Sequence, residues 1–444
     1  MTTHNTKHIF GIALLLALAL SGPACAEEAI DITNLAFRTG PYAETGAALA
    51  NGQRDYFQML NERDGGVNGI RLSYSECETG FNTDKGVECY DKAKAASIVT
   101  QPWSPATTLA ILPKAAADKR PLLAAGHGIS AMADGTVFGW GFNPPISYWD
   151  GASILLKDIA DGDLDKLRGK KVALLHLDAP YGEEPIALLK EYADTFGFSL
   201  VAVPVGAKEM QSQSPQWRQI KEQGADFVLL WGWGTMNAGA LAEAAKVGFP
   251  MDRIAGIWWS GNDEDLKAAG DAAKGYRIVS WNMPSREAEA MRDIERYVLK
   301  SGKSQVAPEE LGGLLYQRGV LASMFVAEVI KAAQLHFDVR LINGEQMRWG
   351  LENLSIDEAA LASLGMEGMI APFATSCRDH SGRGGAWMLQ WDGARLVKTS
   401  DILKADQEMI APLVEAEAKK FAEAHAPWAM NEGCAAGQSA PTAP

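Results

Sequence analysis

Two kinds of residue in this sequence stand where they could act on another molecule. His127 lies in the turn Gly126-His127-Gly128, directly after the apolar run Pro121 to Ala124. A side chain held between two glycines at a strand's C-terminal end sits where open α/β sheets bind ligands. The second kind is tryptophan, of which the chain has 13. Trp103, Trp231, Trp233, Trp258, Trp259 and Trp281 fall at or just beyond the ends of strand-like runs, and Trp140 and Trp149 flank Pro144-Pro145. Core packing places aromatic residues in mid-strand, whereas strand ends place them in a cleft, so an aromatic-lined pocket is expected. Trp217, Trp349, Trp387, Trp391 and Trp428 read as packing residues, and His176, inside a buried-strand pattern, as a core histidine.

Cysteine is the third candidate chemistry. Beyond the N-terminal segment stand Cys77, Cys89, Cys377 and Cys434. An even number in an oxidising compartment favours disulfides. Cys77 closes a strand-like run and Cys89 sits in the helical stretch after it, so a local bridge is geometrically cheap and stabilises by about 3 kcal/mol. Cys377 and Cys434 then pair by elimination. The alternative is a metal site built from Cys377, Asp379, His380 and Cys434, for which a single C-x-x-H supplies only half the usual ligand spacing.

Other chemistry lacks its sequence support. No G-x-x-x-x-G-K-[ST], helix-opening G-x-G-x-x-G, G-x-S-x-G or H-E-x-x-H occurs, which removes the usual basis for nucleotide binding, hydrolase elbows and zincins. Ser104 with His127 is the one nucleophile and base pair to nominate, and neither an enzyme nor a cofactor is expected. With 41 Lys and Arg against 55 Asp and Glu, the net charge of -14 argues against nucleic acid and anionic lipid as partners.

The elements that must position these residues alternate. Short apolar runs ending near Leu35, Tyr74, Thr100 and Ala124 are separated by helical stretches at 46–63 and 83–97, with Gly65-Gly66-Val67-Asn68-Gly69 as a breaker. After Pro144-Pro145 the pattern restarts, with strands at 172–176, 200–205, 227–231 and 254–259 and helices at 183–195, 216–223 and 236–247. Two successive βα blocks predict an α/β fold of two doubly wound, Rossmann-like lobes with parallel sheets. Helices at 286–300 and 309–335, a strand at 386–391 and an amphipathic helix at 402–424 follow.

The first 26 residues carry Lys7, no acid, an apolar run from Ile9 to Leu20 and the small-residue site Ala24-Cys25-Ala26, which are the parts of a secretory signal peptide. Its removal would take away one positive charge and move the net charge from -14 to -15. Lipoprotein processing at Cys25 is the alternative, although Gly22 and Pro23 stand where a lipobox has other residues. The expected organisation is a signal peptide at 1–26, lobe 1 at 27–144 plus 282–340, lobe 2 at 145–281 plus 341–400, a C-terminal extension at 401–434 and a disordered tail at 435–444.

The export signal, the two-block pattern, the Gly65 to Gly69 turn, the segment Gln101-Pro102-Trp103-Ser104-Pro105-Ala106-Thr107-Thr108 and the junction Tyr181-Gly182-Glu183 together resemble the periplasmic binding proteins of branched-chain-amino-acid-type ABC transporters, the leucine-binding-protein family. The resemblance covers roughly residues 29 to 400. It implies a type I periplasmic binding protein fold with three hinge crossings, placed near Pro145, Trp281 to Pro284, and Phe337 to Gly344. Trp103 and Ser104 correspond to the family's first ligand-contacting turn, which takes a ligand carboxylate, and His127 and Gly128 to its second. Tyr181 corresponds to the aromatic that closes from lobe 2, and Trp231 or Trp233 to the next aromatic wall.

Trp259 or Ser260 stands where amino-acid binders in that family present an acid to the ligand ammonium, with Asp263 and Glu264 the nearest acids. That departure points to an aromatic or apolar acid or a related small metabolite, delivered to inner-membrane permease subunits by a periplasmic monomer. The alternatives are a branched-chain amino acid or amide in the same fold, or a module presenting solute to a separate receptor. No direct membrane insertion is expected.

Overall fold

The computed structural model describes residues 1–2, 28–304 and 306–434, so residues 3–26 of the expected signal peptide, Cys25 included, and the expected tail at 435–444 lie outside the described residues. The first sheet is built from β1 (Ala29–Ala36), β2 (Arg71–Glu78), β3 (Thr100–Gln101), β4 (Leu122–Leu123) and β5 (Gly141–Phe142). All of its pairings are parallel, in the order β2-β1-β3-β4-β5. The reversal around β1 is the doubly wound arrangement, which leaves a crevice beyond the carboxyl ends of the central strands.

The second sheet contains β6 (Lys171–Leu177), β7 (Ser199–Val205), β8 (Phe227–Trp231), β9 (Ile254–Gly256) and β10 (Arg277–Ser280). A small antiparallel pair, β11 (Ser355–Ile356) with β12 (Phe373–Ala374), follows before the chain returns to the second sheet as β13 (Trp387–Trp391) and β14 (Leu396–Lys398). The seven strands run β14-β13-β10-β9-β8-β6-β7, with β13 antiparallel to β10 and β14 antiparallel to β13. Val172, Leu174, Val228, Leu230 and Ile278 are all fully buried, as expected of strands covered on both faces. The fold is thus the two-lobed α/β arrangement expected from the sequence.

Several expected boundaries move. The strand expected at 254–259 stops at Gly256, because the Ser260 N–H reaches back to the Ile257 carbonyl at 2.7 Å and turns Trp258 and Trp259 out of the sheet. The helix expected at 309–335 starts at Leu314, after a 3-10 turn at Pro308–Gly312, and runs to Phe337. The C-terminal helix begins at Gln407 rather than 402.

Leu314–Phe337 is long and apolar enough to cross a membrane by length and composition. Here it lies along the helix Ala43–Arg63. The two backbones approach closely at glycines: a Cβ on Gly319 would meet the Leu49 carbonyl at 2.1 Å, and one on Gly52 the Tyr316 carbonyl at 2.0 Å. Only glycine permits that crossing.

The third crossing is not at Phe337 to Gly344. There the helix ends on Asp338 in the left-handed conformation (φ 52°), and the next helix, Gly344–Glu352, folds back onto it. Phe373 still meets Phe325 of the long helix, with ring centroids 5.1 Å apart. Passage to the second sheet occurs over 375–386, where the Asn143 N–H bonds to the His380 carbonyl and the Gly384 N–H to the Pro145 carbonyl. The stretch 341–374, expected with lobe 2, therefore packs with lobe 1.

Both expected disulfides are present, Cys77–Cys89 and Cys377–Cys434. The alternative metal site is not assembled. Its two sulfurs are bonded to each other, His380 stacks on Phe142 at 3.8 Å with Nδ1 on the Gly141 carbonyl, and Asp379 accepts from the Ser381 and Gly382 N–H groups.

Candidate ligand-binding site

The ends of β3 and β4 build one wall of an inter-lobe cavity. Gln53, on the helix Ala43–Arg63, bonds to the Gln101 side chain and accepts from Trp103 Nε1 at 3.2 Å, which fixes the chain leaving β3. Trp103 has a positive φ of 50°, a costly conformation for an aromatic residue and one that concentrates at ligand-contacting turns. Ser104 then caps the helix Pro105–Asp118, its Oγ accepting from the Thr107 N–H at 3.3 Å. From the turn after β4, His127 lays its ring over Trp103, with centroids 5.4 Å apart and planes 28° apart. Gly126 keeps this turn open, since its φ is 65° and a Cβ would meet Trp281 Nε1 at 2.4 Å.

The other wall comes from the second lobe. Tyr181, in the turn after β6, donates its hydroxyl to the Gly232 carbonyl at 2.9 Å. Trp233 follows β8, and Trp259 follows β9 and meets it edge on at 4.9 Å. Tyr148 opens the helix Tyr148–Ile159 behind the capping box of Ser147 and Asp150, and its ring touches Tyr181 at 5.5 Å. Together with Phe81, Ala106, Leu177 and Pro180 these side chains enclose about 60 Å³.

Of the residues singled out in the sequence, Trp103, Ser104, His127, Tyr181, Trp233 and Trp259 line this cavity. Gly128, Trp231 and Ser260 do not. Gly128 shapes the His127 turn with φ 95°. Trp231 is fully buried and meets the Tyr148 ring at 5.9 Å. Ser260 Oγ accepts from the Gly232 N–H at 2.9 Å, tying the turns after β8 and β9 together. These residues support the wall rather than form its surface.

The cavity's electrostatics are unusual for a site that would hold a cation. Among the described residues, no Asp or Glu lines it. Asp263 and Glu264 face a separate groove of about 620 Å³ shared with Glu44 and Glu310. Burial pushes His127 down to about 3, so its imidazole is neutral. Arg318, missed in the sequence, is fully buried with its guanidinium 4.8 Å over the Trp259 ring. Its donors go to the Trp258 carbonyl at 2.7 Å, Asn282 Oδ1 at 2.9 Å and Ser280 Oγ at 3.3 Å, none of them a carboxylate. Burial lowers its pKa to about 9, which still leaves it charged at neutral pH. Phe81 and Tyr148 were missed as well.

A larger groove of about 820 Å³ lies where the C-terminal helix covers the chain around Asp134 and Arg378 to Arg383. Within it Arg383 pairs with Asp379 at 2.8 Å, Lys419 lies 4.0 Å from Glu423, and Asp150 accepts from the Gln407 amide at 2.6 Å. It contains none of the residues singled out as ligand contacts.

The sequence matches the family described as "Periplasmic binding protein" over residues 29–395. Among solved structures, an ABC transporter protein from the Pseudomonas fluorescens group, described as a permease, is 36% identical with a TM-score of 0.84, covering 90% of this chain and 98% of that one. A branched-chain amino acid ABC transporter protein from Thermus thermophilus with bound valine is 21% identical, with a TM-score of 0.74 and coverage of 87% and 99%. A fatty acid ABC transporter substrate-binding protein from Thermomonospora curvata is 17% identical, with a TM-score of 0.70 and coverage of 88% and 95%. No curated protein matches the sequence.

Proposed function

The chain belongs to the periplasmic binding protein family, and from that premise we propose that it captures a small organic solute between its lobes, in the periplasm, and delivers it to the permease of an ABC importer. The observation that carries this reading is the inter-lobe cavity, ringed from both lobes and without a carboxylate among the described residues that line it. An ammonium group placed there would lose its hydration without a counter-charge, at a cost of several kcal/mol. Arg318 adds a like charge nearby. A zwitterionic amino acid is therefore disfavoured, although the Thermus thermophilus neighbour is described with bound valine.

The favoured solute has an apolar body and an uncharged or anionic polar end. Ring walls reward the body through buried area and stacking. The N-terminus of the helix Pro105–Asp118 presents Ser104 and Ala106 to the cavity, and this positive dipole end suits an electronegative group. Size then favours the smallest metabolites, because about 60 Å³ is under half of the roughly 150 Å³ cavity that accommodates benzene. An aromatic acid needs the lobes to stand further apart.

Function follows by hinge closure. Solute docks on the turns at Trp103 and His127, and the rings of Tyr181, Trp233 and Trp259 then stabilise the closed form that the permease engages. The test is a thermal-shift series with L-leucine, L-valine, benzoate, propionate, propionamide and 1-propanol. A ligand at about 100 times its dissociation constant adds roughly 2.7 kcal/mol. The largest rise is expected from a solute without an ammonium group, and a dominant response to leucine or valine would overturn the assignment.

A further inference from the structure

The C-terminal helix changes partners halfway along its length. It runs from Gln407 to Ala424, beyond residues 29–395 over which the family matches. Its first turn is tied to the second lobe, where the Gln407 amide donates to Asp150 at 2.6 Å and the Asp406 N–H to Ser153 Oγ at 3.0 Å. Ile410 and Val414 are buried in the main apolar cluster, which includes Ile154, Leu155 and Leu189 of the second-lobe helices that this helix packs against. Ala418 belongs to a separate cluster, formed with Leu35, Ile111, Met132 and Phe138 of the first lobe. Phe421 and Trp428 pack on that cluster, the Phe421 ring lying 5.0 Å from Phe138.

The far end is fastened as well. Trp428 Nε1 donates to the Val137 carbonyl at 2.7 Å, the Asn431 N–H to the Thr136 carbonyl at 2.8 Å, and Cys434 is bonded to Cys377 in the third crossing. Between its two halves the helix is continuous, and Pro412 interrupts the backbone ladder only in the half on the second lobe. The helix runs beside the first and third crossings, since Ser147, Arg378 and Arg383 line the groove that it covers. Rotation of the lobes about their crossings must therefore bend it between Val414 and Ala418 or pull one half off its lobe. Bending weakens backbone hydrogen bonds and detachment exposes buried apolar area, so either route opposes opening.

We infer that this helix is a strut that limits how far the lobes separate, holding the solute-free protein nearer the closed form than its three crossings alone would. The inference goes beyond solute capture and holds whichever solute the cavity takes.

The test is the distance across the cleft mouth in the full exported chain without added solute. Pulsed electron paramagnetic resonance reads it from spin labels carried on genetically encoded keto amino acids at Lys85 and Lys208. Both positions are exposed and lie on opposite lobes, Lys208 just before Met210, whose sulfur meets the Tyr42 hydroxyl of the first lobe at 3.9 Å. Insertion of Gly-Gly-Ser between Glu415 and Ala416 severs the helix and leaves each half on its own lobe. This variant is expected to raise the share of molecules with a wide mouth by about tenfold over wild type, the effect of releasing a few hydrogen bonds. The same insertion between Gly393 and Ala394, in the exposed turn between β13 and β14, is expected to leave the distances unchanged.

If the severed helix does not fold, the triple variant Cys377→Ser, Trp428→Ala, Cys434→Ser frees the end from the first lobe and is expected to widen the mouth in the same way. Wild-type distances in whichever variant folds would overturn the inference, as would equal widening by the insertion between β13 and β14. Loss of native far-UV dichroism in both variants would overturn it too, by making the helix a part of the core rather than a strut.

Discussion

Trp103 of the first lobe meets Trp259 of the second edge to face, with ring centroids 6.5 Å apart and planes at 90°. The two rings arrive from the ends of different sheets, so their contact measures how the lobes are set against each other. Edge-to-face pairs are worth about 0.5–1.5 kcal/mol beyond the area they bury. Removing either ring should cost both that contact and the solute's wall. Trp103→Ala and Trp259→Ala are each expected to weaken solute binding by about a hundredfold, consistent with loss of 2–3 kcal/mol of burial. Fluorescence titration reads this directly, and far-UV dichroism is expected to stay native.

Glu184 predicts a pH dependence. Its Oε1 accepts from the Ser130 N–H across the lobes at 2.7 Å, and burial pushes the carboxyl up to about 7. A raised acid contributes stability that is fully present below its unfolded pKa near 4.5 and is lost as pH rises through 7. Buried His127 and His380, both pulled down to about 3, slope the other way below 6.5, so wild type alone is a poor witness. Compared with wild type, Glu184→Gln should gain about 1–2 kcal/mol in relative stability between pH 6 and 8, read from paired thermal melts. A constant difference across that range would show that Glu184 does not titrate there.

The disulfide Cys377–Cys434 closes a 57-residue separation and pins the end of a segment that touches both lobes. The helix Gln407–Ala424 packs against 130–133 of the first lobe and against the helices Tyr148–Ile159 and Ile186–Phe196 of the second. Near its end Trp428 Nε1 donates to the Val137 carbonyl at 2.7 Å. The double variant Cys377→Ser, Cys434→Ser is expected to lose about 3–4 kcal/mol. Proteolysis should then cut first between 425 and 434, where the covalent tie is lost and only non-covalent ones remain, chiefly Trp428 to Val137 and Asn431 to Gly135 and Thr136.

Arg318 is a cation whose bonds hold the cleft from behind. Arg318→Met would leave the Trp258 carbonyl without its donor, at about 1–3 kcal/mol, and Asn282 Oδ1 with only the longer Ser280 hydroxyl contact at 3.3 Å. Arg318→Lys is expected to recover little of this, since a point ammonium cannot span three acceptors held in a guanidinium fork. Urea midpoints of the two variants check the prediction, and a fully stable lysine variant would contradict it.

The parts of the site that follow parallel strands were legible in the sequence. Trp103, His127, Tyr181, Trp233 and Trp259 each come just after an apolar run, and strand ends define the crevice in such sheets. Trp231 and Ser260 lie within the same few residues, but the short sequence distance hid which side chains face inward and which prop the wall. Tyr148 was hidden by the restart after Pro145, although the Ser147 and Asp150 capping pair marks it as the first turn of a helix. Phe81 sits in an irregular turn with φ 60°, where no periodicity guides a reading. Arg318 had a signal that went unused, as the one charged residue in the first half of Leu314–Phe337. The third crossing was misplaced because a helix end at Asp338 looks like an exit until its successor is seen folding back.

The central claim is that solute enters the aromatic cavity between the lobes rather than the larger groove under the C-terminal helix. Calorimetric titration of one binding solute against Trp259→Ala and against Glu415→Ala, a groove residue, decides between them. Binding is expected to be lost in the first variant and unchanged in the second. Binding retained in Trp259→Ala and lost in Glu415→Ala would contradict it.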